Sequence, residues 1–109
     1  MAAKSKVTRG SGNVFADIGL ADAEEHELKA RVVIGLARLI ESKELSQIAA
    51  AKRIGIAQPD LSKLLRGNLS GFSLERLLDA LRALGSDVEI KVKVKPKNEA
   101  LGELRLVMA

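Results

Sequence analysis

Residues 45–67 read LSQIAAAKRIGIAQPDLSKLLRG, and their spacing decides the fold. Counting Gln47 as position 1, Ala51 falls at position 5, Gly55 at 9, Ile56 at 10, Leu61 at 15 and Leu64 at 18. Two short helices meeting at a steep angle need a small residue where their backbones touch, and Ala51 supplies it. The turn between them needs a residue at ease with positive φ, which Gly55 provides without steric cost. Ile54, Ile56, Leu61 and Leu64 then point back toward supporting helices. The expected unit is a helix-turn-helix, with Ser46 capping its first helix and Ile54 ending it.

The second helix of the pair is expected to start near Ala57–Gln58. Pro59 is placed at its first position, where a missing N–H is no loss. Ala57 offers no capping oxygen, so the start is weak unless Gln58 takes part. The outward face carries Gln58, Asp60, Ser62 and Lys63, with Arg66 near the end. Gln can bond adenine N6 and N7 together, Lys can donate to guanine, and Asp can accept from cytosine N4. Gln58 is the strongest candidate base reader, with Lys63 next. Asp60 repels phosphate unless it reads a base or holds a nearby cation. Ser46 and Gln47, at a helix N-terminus with free N–H groups, are candidate phosphate holders.

This stretch resembles the DNA-binding unit of lambda-type and Xre-type repressors. Leu45-Ser46-Gln47 stands for the family's Leu-Thr-Gln opening, and Leu61-Ser62-Lys63-Leu64 for its Ile-Ser-Arg-Ile close. The chain departs from the pattern at Ala50, where relatives carry a larger aliphatic, and at Ala57, where they carry Ser or Thr.

Upstream, Leu28, Val32, Leu36, Leu39 and Ile40 recur at helical spacing, predicting one long amphipathic helix to about Ser42. Asp22 is expected as its N-cap, with Glu25 completing a capping box. Asp22, Glu24, Glu25 and Glu27 put negative charge at the positive end of the helix dipole. Gly35 lies mid-helix, a position usually kept for close packing. His26, the single histidine, lacks partners for a metal site or a dyad and is expected to be exposed. Val14, Phe15, Ile18 and Leu20 precede the helix as an apolar cap on the core. Residues 1–12 form a basic tail; whether Lys4, Lys6 and Arg9 reach DNA or simply stay in solvent is open.

Downstream, Gly67–Phe72 is a loop, and Ser73 is expected to cap a fourth helix over Leu74–Leu84, closed by Gly85. The period then changes from 3.6 to 2. Val88, Ile90, Val92 and Val94 alternate with Glu89, Lys91, Lys93 and Lys95, the pattern of a half-buried strand. A lone strand is unstable in water, and its simplest partner is the same strand of a second copy. The lysines either reach DNA or block further edge pairing. After Pro96, Leu101, Leu104, Leu106, Val107 and Met108 make the tail too apolar for a disordered end. It packs on the body, adds a second strand, or binds another protein.

The fold expected is mainly α: a lambda-repressor-like bundle of four to five helices followed by a C-terminal strand paired across a dimer. It divides into a tail (1–12), a DNA-binding domain (13–86), a dimerisation strand (87–96) and a C-terminal tail (97–109). The charge of +4 in 109 residues suits a polyanionic partner without requiring one. With no cysteine there are no disulfides, thiolate chemistry or Cys-based zinc sites. No cofactor is implied. One histidine and no concentrated carboxylate pair leave no constellation for catalysis. Without Tyr or Trp, stacking on single-stranded bases is not expected. No apolar run approaches a membrane span, so a cytoplasmic protein is expected.

Residues 13–96 as a whole resemble the small Xre-type antitoxins of HigBA-like toxin–antitoxin pairs. That resemblance implies a homodimer that represses its own operon at a palindromic operator and sequesters a RelE-like toxin. Related proteins also serve as stand-alone or phage-type regulators. A third reading keeps the helix-turn-helix only as a protein-interaction module.

Overall fold

The computed structural model describes residues 22–94 and 102–108. Four helices follow in order: α1 (Asp22–Ser42), α2 (Gln47–Ile54), α3 (Gln58–Leu65) and α4 (Leu74–Ala83). α1 lies chiefly along α4, α2 packs on α3, and both α1 and α4 support the shorter pair. Val32, Leu36, Leu61, Leu64, Leu77 and Leu84 are fully buried where these helices meet. Each such side chain contributes about 1.5–3 kcal/mol when buried. Among the described residues no polar or charged side chain belongs to the buried set, so the bundle is held by apolar packing. α1 uses a wider stripe than its spacing suggested: Val33 is buried beside Val32, and Leu39 is half-buried.

One device ends all four helices. The carbonyls of Ile40, Ala51, Lys63 and Leu81 accept from the N–H groups of Leu45, Ile56, Asn68 and Ser86, five residues on, at 3.0–3.1 Å. Each of these bonds wraps a left-handed residue. Gly55, Gly67 and Gly85 take that conformation freely, at φ 91°, 101° and 99°. At the end of α1 the place is taken by Glu44, at φ 57°. The helix starts follow the serines: the Ser46 hydroxyl accepts from Ala49 N at 3.0 Å, and that of Ser73 from Arg76 N at 3.1 Å. Glu25 forms an ion pair with Lys29 at 3.4 Å. The proposed cap at Asp22 lies outside the described side chains.

Several expectations need correction or limits. α4 ends at Ala83, with Leu84 as its cap residue rather than its last turn. Residues 86–94 carry no regular secondary structure, and no strand occurs among the described residues. A strand needs a neighbour to pair with, and none is present among the described residues. Val88 packs against the core, whereas Ile90, Val92 and Val94 are 70%, 87% and 86% exposed. Residues 102–108 likewise carry no regular secondary structure. Leu106 packs on the core and the Met108 methyl group lies against Gly35 of α1, so this part of the tail follows the body. The arm 1–12 and the apolar segment 13–20 lie outside the described residues.

Candidate nucleic-acid interface

The interface is built by α2 and α3. Ala50 and Ala51 are buried at the foot of α2, and with no side chain beyond Cβ they let the helix sit low on the bundle. Leu61 and Leu64 anchor α3 from below. With those positions fixed, Gln58, Pro59, Asp60, Ser62, Lys63 and Arg66 fall on the other sides of α3, exposed or half-buried. Pro59 occupies the second position of α3, because Gln58 is already helical. The first four N–H groups of a helix are unpaired, so the residue is tolerated there for the same reason. Ala57 makes no side-chain capping bond.

Gln58 does not cap α3. Its Nε2 donates to Gln47 Oε1 at 3.0 Å, joining the first residues of the two helices. The bond leaves Gln58 with its Oε1 acceptor and one N–H donor, the pair that adenine N6 and N7 require. Gln47 keeps its own amide N–H groups for an acceptor such as phosphate. The sequence reading set the two residues at the starts of their helices, where they lie, but treated them separately. Their eleven-residue spacing, with a glutamine opening each helix, was the signal that could have joined them.

Arg66 Nη1 donates to Ser62 Oγ at 2.6 Å, one helical turn back. This bond holds the guanidinium along α3 and occupies one acceptor site of Ser62. Asp60 and Lys63 are exposed, and Asp60 forms no ion pair among the described residues. Its carboxylate therefore faces solvent rather than neutralising a neighbour. Ser46 is exposed; its hydroxyl oxygen accepts the capping bond, and its proton remains available to donate. Across residues 45–67, Lys52, Arg53, Lys63 and Arg66 outweigh the single acid, Asp60. Ile48, beside Gln47, is 70% exposed and was not singled out from sequence. An apolar residue open on a largely polar face is its only distinguishing mark.

Behind the turn, a half-open hollow of about 290 Å³ is lined by Ile54, Ile56, Leu64, Phe72, Arg76 and Ala80, among others. The Arg76 guanidinium stacks over the Phe72 ring at 4.5 Å and donates to Gly71 O at 3.0 Å. These contacts clamp the loop before α4. Among the described residues no group of three His, Cys, Asp or Glu side chains could hold a metal ion. No described helix is long and apolar enough to cross a membrane.

A short capped helix, a glycine turn and a second helix anchored from below with a polar outer face define a helix-turn-helix protein. The sequence model of the helix-turn-helix domain family matches residues 14–93. A solved structure described as an XRE-family transcriptional regulator is similar to this chain, with 45% identity and a TM-score of 0.74. The match covers 82% of this chain and 100% of that one. The chain belongs to the XRE family of helix-turn-helix proteins. No curated protein matches it.

Proposed function

We propose that the protein is a sequence-specific DNA-binding transcriptional repressor that acts as a homodimer on a palindromic operator. The observation that carries this reading is the Gln47–Gln58 bond. It fixes a base-reading amide at the start of α3 relative to a phosphate-holding amide at the start of α2. Ser46 and Gln47 hold the DNA backbone. Gln58 reads adenine, Lys63 donates to guanine or phosphate, and Asp60 accepts from a cytosine amino group. Pro59 opens the helix, while Ser62 and Arg66 act together at its side. Two copies set α3 into successive major grooves, about 34 Å apart. Val88, Ile90, Val92 and Val94 form the dimer contact; three of them are open to solvent in the single chain.

A finer reading rests on the resemblance of residues 13–96 to antitoxins: the protein autoregulates an operon that also encodes a RelE-like toxin, which it neutralises. Co-expression with the product of the neighbouring gene tests this point, since relief of growth arrest is expected for an antitoxin and not for a stand-alone regulator.

The main reading is tested by binding to DNA from upstream of the gene and to scrambled DNA across a salt series. Tight binding to the native fragment alone, weakening steeply with salt, is expected. Equal and weak binding to both fragments would overturn it and return the helix-turn-helix to the role of a protein-interaction module.

A further inference from the structure

The segment Ser86–Val94, which follows the closure of α4, carries an ordered run of charge. Its outward face reads Asp87, Glu89, Lys91, Lys93, two acids followed by two bases, while Val88, Ile90, Val92 and Val94 alternate with them. Glu89 and Lys91 lie 3.8 Å apart, which places both on one side of the segment. Val88 turns to the core and the next three apolar residues are open. Ile90, Val92 and Val94 thus present uncovered apolar surface beside the charged residues.

We propose that two copies pair these segments antiparallel about a two-fold axis through Ile90, a register that rests on the homodimer reading above. In this register Asp87 faces Lys93 of the partner subunit, and Glu89 faces Lys91 of the partner subunit. By symmetry each pair occurs twice, and no like charges stand opposite. Val88 meets Val92 of the partner subunit, and Ile90 meets its own copy. Moving the axis one residue back sets Glu89 against its own copy, and moving it one residue forward sets Lys91 against its own copy. Like charges directly opposite are destabilising, and opposite charges stabilising. Placing the axis between residues sets apolar side chains against charged ones and turns the apolar row to solvent. Ile90 is the centre that satisfies both demands. The paired length, Ser86 to Val94, starts where the α4 closure ends at Ser86. It stops short of Pro96, which has no N–H for a ladder.

Because the chain has no cysteine, single-cysteine variants read the register directly. Under mild oxidation Ile90→Cys is expected to link to its own copy, since residues directly opposite lie about 4.5–5.5 Å apart between Cα atoms. Val92→Cys alone is expected not to link, its copy lying four residues away, about 13 Å. Mixed with Val88→Cys it should form the crossed disulfide. In parallel, Glu89→Lys and Lys91→Glu should each weaken dimerisation on the order of tenfold, and the double exchange should restore it. All of these positions except Val88 are exposed, and circular dichroism checks that the helices are retained. Self-linking at Val92→Cys or Val88→Cys in place of Ile90→Cys, or failure of the double exchange to restore a dimer that the single exchanges weaken, would overturn the register alone. Sedimentation of the unaltered protein as a monomer at every concentration would overturn the dimer with it.

Discussion

The bond between Gln47 and Gln58 would turn the two DNA contacts proposed for them into one coupled unit, and a double-mutant cycle measures that coupling. Gln58→Ala removes the amide assigned to adenine, with an expected loss of about 1–3 kcal/mol, or about 5- to 150-fold in affinity. Gln47→Ala removes the proposed backbone contact and also the acceptor, 3.0 Å from Gln58 Nε2, that orients the Gln58 amide. Gln58→Ala should therefore cost less when Gln47 is already Ala. A net hydrogen bond contributes about 0.5–1.5 kcal/mol, and that is the expected coupling. Fluorescence anisotropy with operator DNA gives the four affinities. Both side chains are neutral, so the slope of log affinity against log salt should stay constant through the cycle. Denaturant titrations should show small changes, because neither side chain belongs to the core. Losses that add to within about 0.3 kcal/mol would refute the coupling. A Gln58→Ala variant with unchanged affinity would refute its role in reading.

Two further predictions concern the scaffold. Glu44 holds the left-handed position that glycine fills in the other three helix closures. Glu44→Gly should raise stability by about 0.5–1 kcal/mol, relief of left-handed strain exceeding the added unfolded-state entropy. Thermal unfolding should show it as a rise of a few degrees, and a fall would refute the assignment of strain there. At Gly35 an added Cβ would run into the Met108 methyl group. Gly35→Ala should therefore gain up to about 1 kcal/mol of helix propensity in a Met108→Ala background and less in the unaltered chain. Equal gains in both backgrounds, by urea denaturation, would refute a costly contact between the Met108 side chain and Gly35.

Much of this was legible in the residues because it depends on local rules. Ser46 and Ser73 cap helices through bonds that span three residues. Gly55 turns the chain where a left-handed residue is required, and the leucine spacing of α4 marks its buried face. The outward side of α3 could be named because the inward side is set by Leu61 and Leu64. Pro59 was displaced by one position because Gln58 joined the helix without a capping side chain ahead of it. The alternation at 87–96 was legible as the pattern of a strand, but a ladder is a property of two segments, and none forms among the described residues.

The sequence by itself determined the helix-turn-helix, its supporting helices and the side chains it turns outward, since those follow from periodicity, capping and turn chemistry within a few residues. Tertiary structure decided what distant residues do to one another. Gln58 bonds Gln47 instead of capping its own helix, and Met108 fills the space that Gly35 leaves open. Each of these side chains had more than one partner within reach of its chemistry. Only the packing of α2 on α3, and of the tail on α1, brought a particular one within bonding distance.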